Sequence, residues 1–156
     1  MSMSSILQRL PPPLLYVVVL LLAHFLDLRW PLAELPPGWH AVARWLGLAL
    51  IVAAFIHAAS AVALFLTSRT TIVPHHRSSA LVTRGAYRWT RNPMYVGLTL
   101  AYLGVAAILG SAWALPLLAI PLYVMNNHVI PMEERQLEAV FGDGYREYKA
   151  RVRRWL

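Results

Sequence analysis

A chain of 156 residues that is 58% hydrophobic and only 13% charged has room for one domain, 1–156, and is too apolar for an ordinary soluble one. The formal charge of +7 sits beside apolar stretches, where anionic lipid headgroups account for it, so nucleic acid is not an expected partner. The absence of cysteine excludes disulfides, thiol nucleophiles and thiolate metal sites together.

Residues 14–28 form the first apolar stretch. It follows Pro11-Pro12-Pro13 and ends in Asp27-Leu28-Arg29-Trp30 with no small-residue cleavage site, which predicts a retained helix and not a signal peptide. Residues 45–66 are long enough alone to cross a hydrocarbon core of roughly 30 Å. Residues 94–109 and 112–125 are separated only by Gly110 and Ser111, the pattern of a tight helical hairpin whose returning arm is kinked at Pro116 and Pro121. His24 and His57, inside predicted spans, read as neutral packing histidines that face the bundle interior.

Charge orients the spans. Segment 67–93 carries Arg69, Arg77, Arg84, Arg88 and Arg91 with no acid, and six more basic residues follow Pro131. The 29–44 loop holds only Arg29 and Arg44. By the positive-inside rule, loop 67–93 and both ends of the chain are cytoplasmic. The expectation is an all-α membrane protein with about four transmembrane helices, including the C-terminal hairpin, plus a cytoplasmic helical tail.

Two polar islands, 67–95 and 126–156, then lie on one side of the membrane, and the hairpin between them goes out and comes back. They can therefore meet. In the first, Pro93 suits the opening turn of a helix, and Arg91 and Asn92 stand beside backbone N–H groups free to bind an anion. In the second, Pro131 suits another helix start, with Glu133 and Glu134 where the helix dipole favours negative charge. Phe141-Gly142-Asp143-Gly144 stops that helix. A further helix from Tyr145 sets Tyr145, Tyr148, Val152 and Trp155 at the spacing of an interfacial helix. An arginine loop facing a diacid makes a site with a positive and a negative end, which a zwitterion fits. His75 and His76 are adjacent and lack an acidic or thiol neighbour, so no metal is expected. His128, at the cytoplasmic end of the last span, is placed to reach a substrate head group. No phosphate-binding glycine loop, nucleophile elbow or zinc helix is present.

Three pieces occur in order: Leu81-Val82-Thr83-x-Gly85-x-Tyr87; Arg91-Asn92-Pro93-Met94-Tyr95-x-Gly97; and Glu133-Glu134-x-x-Leu137 leading to Phe141-Gly142-x-x-Tyr145-x-x-Tyr148. Together they resemble the isoprenylcysteine carboxyl methyltransferase family and its phospholipid methyltransferase relatives, integral membrane enzymes that use S-adenosylmethionine. The resemblance covers about residues 81–152. It implies cofactor binding by Leu81, Val82, Tyr87, Asn92, Pro93, Tyr95 and Glu133, with Arg91 supporting the site. The family has histidine where this chain has Asn92, which donates a hydrogen bond but does not titrate. Where eukaryotic members carry a substrate-binding arginine before the glutamates, this chain has Val129, next to His128.

The resemblance implies methyl transfer to a lipophilic, membrane-partitioned acceptor; the catalytic candidates are Arg91 and, from their position in the second island, Glu134 and His128. A carboxylate acceptor is already ionised; a thiol or amine needs a base, for which Glu134 or His128 is nearest. Alternatives are a phospholipid amine or small-thiol acceptor, or a scaffold that is not an enzyme and binds anionic lipids. The expected setting is a bacterial inner membrane, with no obligate protein partner.

Overall fold

The computed structural model describes residues 11–67 and 81–156. Arg69, His75, His76 and Arg77 lie outside them. In chain order the elements are α1 (Pro12–Arg29), α2 (Trp39–Thr67), a 3-10 turn (Gly85–Arg88), α3 (Pro93–Leu109), α4 (Ala114–Leu117), α5 (Ala119–Val124), a π turn (Met125–Val129), α6 (Ile130–Phe141) and α7 (Asp143–Arg151). Every regular element among the described residues is helical. Pro12–Arg29, Trp39–Leu64 and Ala114–Phe141 are long and apolar enough to cross a membrane, and Pro93–Leu109 is a shorter apolar helix. These are the four expected spans, the last running on into the second polar island.

The packing is that of a bundle in lipid, with large apolar side chains outside and small or polar-tipped ones within. In α1 the buried stripe is Tyr16, Val19 and Ala23, while Leu14, Val17, Val18, Leu21, Phe25 and Leu28 are exposed. Lipid solvates leucine as well as a protein interior does, so helices associate by close approach and by hydrogen bonds rather than by hiding leucine. Both devices are present. Helix α2 packs chiefly on α3, where the two backbones meet at glycines: a Cβ on Gly47 would lie 2.5 Å from the Gly104 carbonyl oxygen, and one on Gly104 would lie 2.7 Å from that of Gly47. On the other side α1 lies against α3, α4 and α5. Its Tyr16 hydroxyl donates to Thr99 Oγ1 at 3.0 Å, and Thr99 donates onward to the Tyr95 carbonyl at 2.9 Å.

The hairpin turn forms at Gly110, which adopts the left-handed conformation, and Ser111. At this end Asp27 of α1 accepts hydrogen bonds from the Ser111 hydroxyl and, at 3.3 Å, from the Trp113 amide, while the Trp113 indole donates to the Trp30 carbonyl at 2.7 Å. One carboxylate thus satisfies free donors where the returning helix begins. That arm is interrupted where its prolines remove amide donors, at Leu118 between α4 and α5, and then widens into the π turn. A π turn inserts a residue and rotates the face that follows it, here the face carrying Glu133 and Glu134.

The tail departs from the expected interfacial helix. Helix α7 ends at Arg151 and Val152 is extended, while Tyr145 and Tyr148 are buried at 1% and 4% exposure. A buried tyrosine hydroxyl seeks a partner, and Tyr148 finds the Tyr87 carbonyl at 2.8 Å, so this face turns to the protein and not to the membrane surface.

Gly104→Ala should force α2 and α3 apart against a backbone oxygen and cost about 1–3 kcal/mol, the usual cost of overpacking. Gly97→Ala, whose added methyl would sit 3.4 Å from the Ala54 carbonyl oxygen, should be far better tolerated. Reversible SDS-induced unfolding of the two variants in mixed micelles measures the difference.

Candidate active site

The two polar islands meet. Asn92, with no helical geometry of its own, precedes Pro93 at the first turn of α3, and this start projects Tyr95 one turn in. Pro131 opens α6 in the same way and brings Glu133 into its first turn. The Tyr95 hydroxyl donates to Glu133 Oε1 at 2.6 Å. Tyr87, from the 3-10 turn, lies close enough to Glu133 and Tyr148 for both to reinforce the upward displacement of its pKa, whose chief cause is burial.

One residue on, Glu134 is enclosed. Its side chain is 8% exposed and meets Arg91 Nη2 at 3.3 Å, Arg154 Nη2 at 2.8 Å and Lys149 Nζ at 3.8 Å. The Arg154 guanidinium approaches as a fork, with Nε on Glu134 Oε1 at 3.1 Å and Nη2 on Oε2. Its third nitrogen, Nη1, donates to the Asn126 carbonyl at 3.2 Å and to Asn126 Oδ1 at 3.0 Å. Both Glu134 oxygens are thus occupied by cations, which leaves Glu133 as the acid facing the aromatic side.

Arg91 is the complement. Its side chain is 10% exposed, and while Nη2 reaches Glu134, Nε and Nη1 are buried without a hydrogen-bond partner among the described residues. A buried guanidinium with two idle donors is costly unless an acceptor arrives. The residues present offer a half-used cation on one side and a carboxylate held by a tyrosine on the other, a donor set that fits the carboxylate and ammonium of an amino-acid-bearing cofactor.

The segment after α7 closes over this cluster. The Arg91 amide donates to the Arg153 carbonyl at 2.9 Å, and the Arg154 carbonyl accepts from Thr90 Oγ1 at 3.0 Å and Asn92 Nδ2 at 2.9 Å. The Asn92 amide nitrogen is therefore engaged with the strap, and Pro93 is buried beneath it. Leu81 and Val82 are half-buried at the start of the described loop. His128 is half-buried in the π turn, with its ring 5.9 Å from that of Tyr123, which is exposed. No described contact joins it to Tyr95 or Glu133. Sequence reasoning missed Arg154, Asn126, Thr90 and Tyr16. Asn126 carried a signal, an amide at the end of an apolar span; Arg154, one cation in Arg151-Val152-Arg153-Arg154, carried none.

The sequence model of the family described as phospholipid methyltransferase matches residues 42–144, more than half of the chain. The chain belongs to that family. It is 34% identical over 77 residues to the protein-S-isoprenylcysteine O-methyltransferase of Schizosaccharomyces pombe, covering 49% of this chain and 33% of that one. With the protein of the same name from Tribolium castaneum it is 33% identical over 72 residues, 46% of this chain and 26% of the other. The chain thus spans about a third or less of the length of these two relatives. A Haemophilus influenzae protein described only as uncharacterized is matched over its whole length, 44% identical over 63 residues and 40% of this chain. No solved structure matches the chain.

Two measurements test the packing of this cluster. Tyr148→Phe removes the bond to the Tyr87 carbonyl and should cost about 1 kcal/mol, with faster hydrogen exchange across residues 85–91 and no change in helix content. Burial, reinforced by Glu134 and Glu138, pushes the Tyr145 hydroxyl up to about 12, and burial also raises Tyr148. The unfolded chain ionises these groups first, near pH 10. Stability should therefore hold below that pH and fall as pH rises through about 12; a Tyr145→Phe, Tyr148→Phe double variant should flatten the fall.

Proposed function

We propose that this protein is an S-adenosylmethionine-dependent methyltransferase that modifies a lipophilic acceptor partitioned in the membrane. The observation that carries the reading is the site with two ends: Arg91 with two unpartnered buried donors, and Glu133 held by Tyr95. Membership of the phospholipid methyltransferase family supports it.

Arg91 receives the carboxylate of the cofactor's amino-acid part through Nε and Nη1. Glu133 faces its ammonium group, and Tyr95 fixes the carboxylate orientation by its hydrogen bond. Tyr87 and the half-buried Leu81, Val82 and Pro93 supply the apolar and aromatic surface for the adenosine part. When bound, S-adenosylmethionine supplies a methyl carbon already activated by the sulfonium. The chain's own residues have to orient, to exclude water and to place the acceptor in line. No nucleophile of the protein is required.

Glu134 anchors Arg91 rather than moving a proton. His128, in the π turn with its ring near that of exposed Tyr123, is the residue we assign to take the proton from a thiol or amine acceptor. A carboxylate acceptor needs no base. The names of the two methyltransferase relatives favour such a carboxylate; the description of the family model favours a phospholipid amine. The positive charge of the loop and tail favours the cytoplasmic face for the site.

Calorimetry of S-adenosylhomocysteine with detergent-purified protein should give micromolar binding, with Glu133→Gln and Tyr95→Phe each weakening it by about tenfold, as expected for loss of one charge-assisted contact. Labelled-methyl transfer into lipid extracts then separates carboxylate from amine acceptors by the alkali lability of the product. Folded protein that binds no cofactor, and whose lipid binding falls only with total positive charge, would be a scaffold and not an enzyme.

A further inference from the structure

The Arg154 side chain has no described contact with Arg91 or Glu133, yet Arg154 ties α6 and the π turn to the loop before α3. Its fork takes both oxygens of Glu134, its remaining nitrogen takes Asn126 in the π turn, and its carbonyl accepts from Thr90 and Asn92 in the loop. We infer that Arg154 is a positioning residue for Arg91: by committing Glu134 to itself, it keeps the Arg91 guanidinium only half engaged, so that Nε and Nη1 stay available to an anionic ligand.

Three cations compete for one carboxylate. Glu134 has two oxygens and three cations within ion-pair distance. An arginine fork is the best-matched partner a carboxylate has. Arg154 has that geometry, whereas Arg91 has a single contact at 3.3 Å. Remove the fork and the buried carboxylate must be satisfied otherwise, because an under-paired charge in a dry site is expensive. Lys149, 41% exposed and 3.8 Å away, is a weak substitute. Arg91 is the nearer cation and carries the unused donors. It would turn its Nε edge onto Glu134 and leave the ligand's carboxylate without a partner.

The inference rests on the proposed cofactor reading, and the test separates the two. Calorimetry on the full chain in detergent compares S-adenosylhomocysteine, which carries the amino-acid carboxylate, with methylthioadenosine, which lacks it. Wild type should prefer S-adenosylhomocysteine. Arg154→Gln should weaken S-adenosylhomocysteine by about tenfold, the scale of one charged hydrogen bond, and leave methylthioadenosine within about twofold. Arg154→Lys keeps the charge without the fork and should fall between, and it serves if the glutamine variant does not stay folded by size exclusion and circular dichroism. A folded Arg154 variant with undiminished preference for S-adenosylhomocysteine overturns the positioning role while leaving the cofactor reading intact. Equal loss of both ligands also overturns it, since that is the mark of general loosening. A wild type that binds neither ligand removes the cofactor reading and this inference with it.

Discussion

Glu134 is the point on which the end of the bundle that carries the two polar islands turns. It is a carboxylate at 8% exposure, shared among the loop that leads into α3, the helix α7 and the strap that follows it. A buried charge in such a place is a liability unless every oxygen is matched, and here the match requires the loop before α3 to meet α7 and its strap, which come far later in the sequence. The ion cluster therefore acts less as a source of net stability than as a condition on the fold: the loop, π turn and strap are either all in place or the charge is stranded. The adjacent Tyr95–Glu133 pair inherits its geometry from that condition, because Glu133 follows the π turn and Tyr95 follows the same loop.

The membrane-facing part obeys different physics. Apolar surface gains little by leaving lipid, so the large side chains of α1 and α2 point outward and the contacts that hold the helices are glycine against glycine, a tyrosine-to-threonine relay and one aspartate over a helix start. Asp27 and Glu134 lie at opposite ends of the bundle and do comparable work. Each satisfies donors where a helix or loop would otherwise leave them bare, and each ties the last arm to something earlier in the chain. Between them the arm is free to break at its prolines and to widen at residues 125–129 without losing its place.

The spans were legible because apolar length and the proline and glycine punctuation act locally: Pro12, Pro93 and Pro131 all stand in opening turns, and Gly110 and Gly142 close helices. The meeting of the islands was legible from topology, since a hairpin returns to its own side. The strap was not. Tyr145, Tyr148, Val152 and Trp155 share a spacing that fits a membrane-surface helix as well as a buried face, and periodicity cannot say which neighbour covers it. Nor does spacing distinguish Arg154 from Arg151 or Arg153, because what sets it apart is the carboxylate it faces twenty residues away, a relation of packing and not of pattern.

The same geometry explains how asparagine can stand where the resembling family has histidine. The Asn92 side chain gives its amide hydrogen to the Arg154 carbonyl at 2.9 Å, and the Asn92 backbone N–H goes to Thr90 Oγ1 at 3.1 Å. What the position supplies here is a side-chain donor aimed at the strap, a task an imidazole N–H or a carboxamide performs equally and one that needs no titration. Conservation of a donor, with loss of a titratable ring, follows if the residue closes the strap over Arg91 and takes no part in proton transfer. A residue so committed to backbone is free of any acid–base task, and the proposed proton acceptor, His128, stands apart from it in the π turn.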